Sequence, residues 1–133
     1  MTRKAIVLVL LISAALPVDA GRDDLQLRTL KKALVAADDK NYGEAISLYS
    51  DILVINPGHV DALTQLGICF VHTNQQLDSA LTLFHKALKI IPASERFSPF
   101  GVDLQRTIAR TYNLNQQPEK ALAVLKTLND SVK

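Results

Sequence analysis

Between Val60 and Pro92 the apolar residues fall at helical spacing twice over. Leu63, Leu66, Gly67 and Phe70 follow the i, i+3, i+4, i+7 order of one helix face, and Ala80, Phe84, Ala87 and Leu88 repeat it on a second. The polar run His72–Gln76 predicts the turn between them, and Pro92 closes the unit. Large residues alternate with the small Gly67, Ala80 and Ala87. That alternation lets two helix backbones approach to about 8–10 Å. The expectation is a tight helical hairpin.

The same pattern occurs twice more. Ala45, Tyr49, Ile52 and Pro57 precede Ala80, Phe84, Ala87 and Pro92 at one constant offset, which marks an internal repeat. Its second helix reads clearly over Tyr42–Val54. Its first helix allows two frames. A strict alignment sets Ala33 opposite Gly67 but puts Lys32 at an apolar position, and burying an unpaired lysine is costly. A frame shifted by one turns Leu30, Ala33, Leu34 and Ala37 inward, keeps Lys31 and Lys32 outside, and shortens the turn at Asp38–Asn41. We favour the shifted frame. Residues Gly21–Gln26 are polar and read as a frayed lead-in. After Pro92, Ala93–Gly101 is an insertion. Ser98 followed by Pro99 is a strong helix start, with a hydroxyl cap and a proline where no N–H is needed. Leu104, Ile108, Ala109 and Tyr112 then line a first helix, and Ala121, Leu125 and Leu128 a second that opens at Pro118.

The ordered set Leu63, Leu66-Gly67, Phe70, Ala80, Phe84, Pro92 resembles a tetratricopeptide repeat (TPR), with Leu in place of the opening Trp and one extra residue in the turn. The resemblance implies an all-α fold, a right-handed superhelical stack of antiparallel helix pairs. Three repeats are expected, at about residues 27–57, 60–92 and 99–131. Three is the usual minimum for a stable stack, because each unit buries its face only against its neighbours. The last helix carries Leu122 and Val124 on an uncapped face. That face could be tolerated as it stands, pair with a second copy, or dock on a partner.

Residues 1–20 have the parts of a secretory signal peptide: Arg3 and Lys4, an apolar run over Ala5–Leu16, then Pro17 and Val18-Asp19-Ala20. Cleavage is expected between Ala20 and Gly21. The apolar run is shorter than the roughly 20 residues a membrane span needs, so membrane contact is expected only through the transient leader. Export follows, to the periplasm in the first instance or as a secreted protein.

Composition narrows the function classes. Apolar residues make up 48% of the chain and aromatics 5%, which suits small-into-large helix packing. The formal charge of +2 gives no basic footprint for nucleic acid. Candidate chemistry is sparse. His59, His72, His85 and Cys69 are the possible metal ligands besides carboxylates, and only Cys69 and His72 share a predicted helix face. A zinc site needs four ligands, or three and a water. Cys69 reads as a small core residue. Asp23, Asp24, Asp38 and Asp39 fall in the lead-in and a turn, and no glycine-rich phosphate loop is present. The chain is therefore not expected to be an enzyme or to hold a metal or cofactor; a metal-binding or enzymatic protein is the weakest alternative.

The resemblance implies a concave groove lined by the first helices, which takes peptides or partner helices. Carried onto this sequence, the peptide-binding positions are Thr64, Ile68 and Val71, with His72 beside them, and Arg106, Arg110 and Asn113 in the third unit. The first unit adds either Leu30 and Leu34 or Lys31 and Val35. Such a groove, apolar in the middle and basic at one end, suits a partner with hydrophobic anchors and an acidic group, since arginine forks pair with carboxylates. Leu30, Leu34, Gln65, Asp103 and Thr107 occupy the positions where a TPR subfamily clamps chaperone C-termini, and none is the required residue. The expected function is a non-catalytic adaptor or scaffold of the bacterial cell envelope. The alternative is a homo-oligomeric module joined through its C-terminal helix.

Overall fold

The computed structural model describes the backbone of residues 3–131 and the side chains of residues 21–131. The expected leader, residues 1–20, lies outside the residues whose side chains are described. Six α-helices follow one another: α1 Arg3–Asp38, α2 Tyr42–Ile55, α3 Val60–His72, α4 Leu77–Ile90, α5 Pro99–Leu114 and α6 Pro118–Ser131. They pack as three pairs, α1 on α2, α3 on α4 and α5 on α6, and the pairs stack through α2 on α3 and α4 on α5. The fold is the all-α, TPR-like solenoid that the sequence predicts.

Small residues set the spacing within each pair. Ala33 and Ala45, then Ala80 and Ala87, then Ala109 and Ala121 are all buried at the helix contacts. Between the pairs, one cluster joins Tyr49 and Ile52 of α2 to Ala62, Leu66 and Cys69 of α3. A second joins Phe84 and Ala87 of α4 to Leu104 and Ile108 of α5. Both α3 and α5 thus carry two apolar faces, one for the helix's own partner and one for the unit before it.

That division resolves the frame of α1. Ala33 and Ala36 are buried, Leu30 and Ala37 are half-buried, and Lys31 and Lys32 are exposed. The inner face is therefore that of the strict alignment, with Ala33 at the Gly67 position, where the shifted frame places Leu34, which is 39% exposed. Lys32 stands at the position of Leu66, the face that docks on a preceding unit. In the first unit that position meets solvent, so no charge is buried. The shortened turn does occur: α1 and α2 are separated by one residue fewer than α3 and α4. Residues 21–26, expected to fray, are helical and belong to α1; Asp24 and Arg28 pair at 2.7 Å across one turn of it.

All three turns use the same device. Lys40, Asn74 and Gln116 adopt left-handed backbone with φ of 62°, 51° and 61°. The following N–H reaches back to the carbonyl of Ala36, Phe70 or Tyr112, the six-to-one bond of a Schellman end. The extra residue of the second turn is Gln76, also left-handed at φ 53° and with no side-chain cap bond to α4. In the first turn Asn41 accepts from the Glu44 N–H instead.

The insertion is ordered. After a 3₁₀ turn at Ala93–Glu95, Ser98 caps α5 by accepting from the Gly101 N–H at 3.2 Å. Gln105, buried, donates from Nε2 to the Arg96 carbonyl at 2.8 Å and so ties the loop to α5. Gly101 lets the loop lie directly on the helix, because a Cβ there would collide with the Glu95 and Arg96 carbonyls.

Candidate interaction surfaces

The residues expected to line the groove take up unequal roles. Thr64 is buried, its hydroxyl donating to the Val60 carbonyl at 2.9 Å. Ile68 and Val71 lie together on α3, half-buried against the cluster that joins α4 to α5. Arg110 and Asn113 are exposed on α5. Arg106, also exposed, lines a groove of about 410 Å³ together with Phe97, Val102, Leu125, Leu128 and Asn129. At the other end of the stack Leu27, Leu34 and Val35 of α1 are exposed. Side by side, the first helices present apolar residues on α1 and α3 and basic ones on α5.

The groups that suggested other chemistry are accounted for locally. His59 accepts the Ala62 N–H at Nδ1, 3.1 Å away, and caps α3. His72 stacks on Tyr42 with ring centroids 5.2 Å apart. His85 Nε2 lies 2.7 Å from the Tyr112 hydroxyl, across the seam between α4 and α5, and burial lowers its pKa. Lys120 Nζ sits 5.9 Å from the Tyr112 ring centre, and Asn115 Nδ2 donates to Asp78 at 2.8 Å across the same pair of units. Cys69 is buried, and desolvation pushes its thiol pKa up, away from the reactive thiolate. Among the described residues, no group of three or more His, Cys, Asp and Glu side chains could hold a metal, and no helix is long and apolar enough to cross a membrane.

Sequence reasoning missed one seam contact and one buried hydroxyl. The His85–Tyr112 pair joins residues far apart in sequence on helices of different units, and helical spacing alone carries no sign of it. Tyr49 was read as a core residue, but its hydroxyl is buried with no hydrogen-bond partner among the described residues. Its pKa is pushed up to about 12, chiefly by burial, with Cys69 and Asp38 adding to the effect.

The architecture defines the class: a solenoid of stacked helix pairs. Residues 36–97 match the family model described as tetratricopeptide repeat. Two solved structures share the fold. A point mutant of MamA is 22% identical, with a TM-score of 0.67, covering 80% of this chain and 72% of that one. MamA AMB-1 is also 22% identical with a TM-score of 0.67, covering 84% of this chain and 61% of that one. No curated protein sequence matches the chain. At this identity the likeness concerns the fold.

Proposed function

We propose that the chain is a non-catalytic scaffold that holds a peptide or a partner protein on the side formed by α1, α3 and α5. The observation that carries this reading is the arrangement of those helices: exposed Leu27 and Leu34 on α1, half-buried Ile68 and Val71 on α3, and exposed Arg110 and Asn113 on α5. The TPR match over residues 36–97 supports the same reading, since such repeats serve as interaction modules. Thr64 shapes the floor without offering its hydroxyl, which is spent on Val60. The partner has apolar anchors for the first two units and an acidic group for Arg106 and Arg110. The signal-peptide pattern of residues 1–20 supports export to the bacterial envelope, with the periplasm as the expected location.

Two measurements test this. Fractionation of cells expressing the full chain should find a product shortened at Ala20 in the periplasm; uncleaved protein in the cytoplasm would remove the localisation. Leu34→Glu combined with Arg110→Glu alters two exposed positions and should leave melting unchanged. The pair should lose the partners that the parent captures from envelope extract. Identical partners for both proteins would remove the binding face.

A second reading rests on Leu122, which is 67% exposed on α6 and fits self-association through that helix. Light scattering across concentration separates the two. A strict monomer, unchanged by Leu122→Lys, leaves only the scaffold.

A further inference from the structure

The groove between α5 and α6 has a counterpart, already filled, in each earlier unit. Superposing the repeat positions sets Val102, Leu125, Leu128 and Asn129 on Val60, Phe84, Ala87 and Leu88 of the second unit. Those four pack in the cluster that receives Leu104 and Ile108 of α5. In the first unit, Tyr49, Ile52 and Leu53 receive Ala62, Leu66 and Cys69 of α3 in the same way. Tyr49 and Phe84 are 0% exposed, whereas Leu125 at the same position is 42% exposed. The groove of about 410 Å³ therefore occupies the position at which the earlier units seat a following helix, and it is open among the described residues.

Charge selects the occupant. Arg106 stands at the edge of the seat where the second unit has the neutral Thr64. The one ion pair among the described residues is Arg28 with Asp24, so Arg106 has no acidic partner there. A second copy stacking head to tail would present α1. The α1 positions matching Ala62, Leu66 and Cys69 are Arg28, Lys32 and Val35. That face would set Lys32 in the apolar position and more positive charge near Arg106, and burying an unpaired charge is costly. We infer that the α5–α6 groove binds an amphipathic helix from a different protein, with an apolar stripe for Leu125 and Leu128 and an acidic residue for Arg106. The interaction is helix-in-groove recognition with the repeat's own packing as its template. It lies at the end of the stack, apart from the face proposed above, and Arg106 is the residue the two share.

The test uses two labelled peptides copied from α5, Pro99–Leu114, since that helix already fits the equivalent seat on the second unit. One keeps its sequence; the other carries R106E and R110E. Fluorescence anisotropy with the mature protein should show the acidic peptide binding at least about tenfold tighter, a difference of about 1.4 kcal/mol. Leu125→Asp should abolish binding of both, and Arg106→Glu, at an exposed position that folding does not need, should reverse the preference. Leu34→Glu should leave both affinities unchanged, which separates this seat from the concave side. Failure of either peptide to bind, or a preference indifferent to Arg106→Glu, would overturn the inference. So would a parent protein that is a dimer by light scattering and becomes a monomer on Leu125→Asp, because the seat would then belong to a second copy.

Discussion

Two side chains at the helix contacts show how little freedom the packing leaves. Gly67 and Phe84 meet at a tight contact of α3 and α4: a Cβ at Gly67 would lie 2.5–2.9 Å from three atoms of the Phe84 ring. Phe84 is fully buried and cannot swing clear. Alanine would gain about 1 kcal/mol in helix propensity, while overpacking costs about 1–3 kcal/mol. The clash should win. Gly67→Ala is expected to destabilise by about 1 kcal/mol net, read as a drop of several degrees in Tm, and a rise would mean that the ring has room. Tyr49 offers the opposite case. It occupies the Phe84 position in the first unit, and its hydroxyl lacks a partner among the described residues. An unmet buried hydroxyl costs about 1–3 kcal/mol in desolvation. Tyr49→Phe removes the oxygen and keeps the ring, so stability should rise by about 1 kcal/mol in urea melts. A loss of that size would show the hydroxyl to be bonded in solution.

At the scale of elements, helices were legible and their partners across the seams were not. The start of α2, the end of α4 and the start of α5 were readable because Asn41, Pro92, Ser98 and Pro99 act locally, through caps and missing donors. The face of α1 was misread at Leu34 because its register depends on what lies beyond the unit: Lys32 is tolerated at the Leu66 position because no described element docks on it. The groove residues were placed on their helices by the TPR resemblance, but Ile68 and Val71 also close the α4–α5 seam, a three-dimensional fact. The insertion was visible as extra length, whereas its anchoring by Gly101 and Gln105 needed the fold. Gly101→Ala should therefore release the loop at a cost of about 2 kcal/mol, of the order of an overpacked core site. Trypsin should then cut after Arg96 faster than in the parent, and equal rates would mean the loop is held otherwise. The seam between α4 and α5 carries the pH response. Burial lowers the His85 pKa, so the folded state favours the neutral ring, whose Nε2 can accept from the Tyr112 hydroxyl. The stability this provides is complete above the unfolded value near 6.5 and is lost as pH falls through the lowered folded value. Melting temperature should drop on acidification from pH 7, and His85→Gln should flatten that part of the profile.

For the whole molecule, the two ends of the stack differ in chemistry, and that difference governs assembly. The C-terminal end keeps an apolar seat at Leu125 and Leu128, while the N-terminal end presents Arg28, Lys31 and Lys32. A solenoid with complementary ends would add copies head to tail without closing, because each joint leaves another seat open. Here Arg28 and Lys32 stand where α3 has Ala62 and Leu66, and they act against that outcome. The contrast can be removed with two exposed substitutions, Arg28→Ala and Lys32→Leu, which copy the α3 face onto α1. Neither touches the inner face built on Ala33 and Ala36, so the helix pair should fold as before. Burying one leucine-sized side chain per joint is worth about 1.5–3 kcal/mol before association entropy is counted. The assembly should therefore be weak and rise with concentration. Light scattering of the double variant should show growing mean mass in the range where the parent holds one value. Adding Leu125→Asp should return it to the parent's behaviour, since that change spoils the seat and leaves the new face intact. A double variant of unchanged mass would mean that the groove between α5 and α6 cannot receive a first helix in the manner of the earlier units, and the inference of a partner helix there would fall with it.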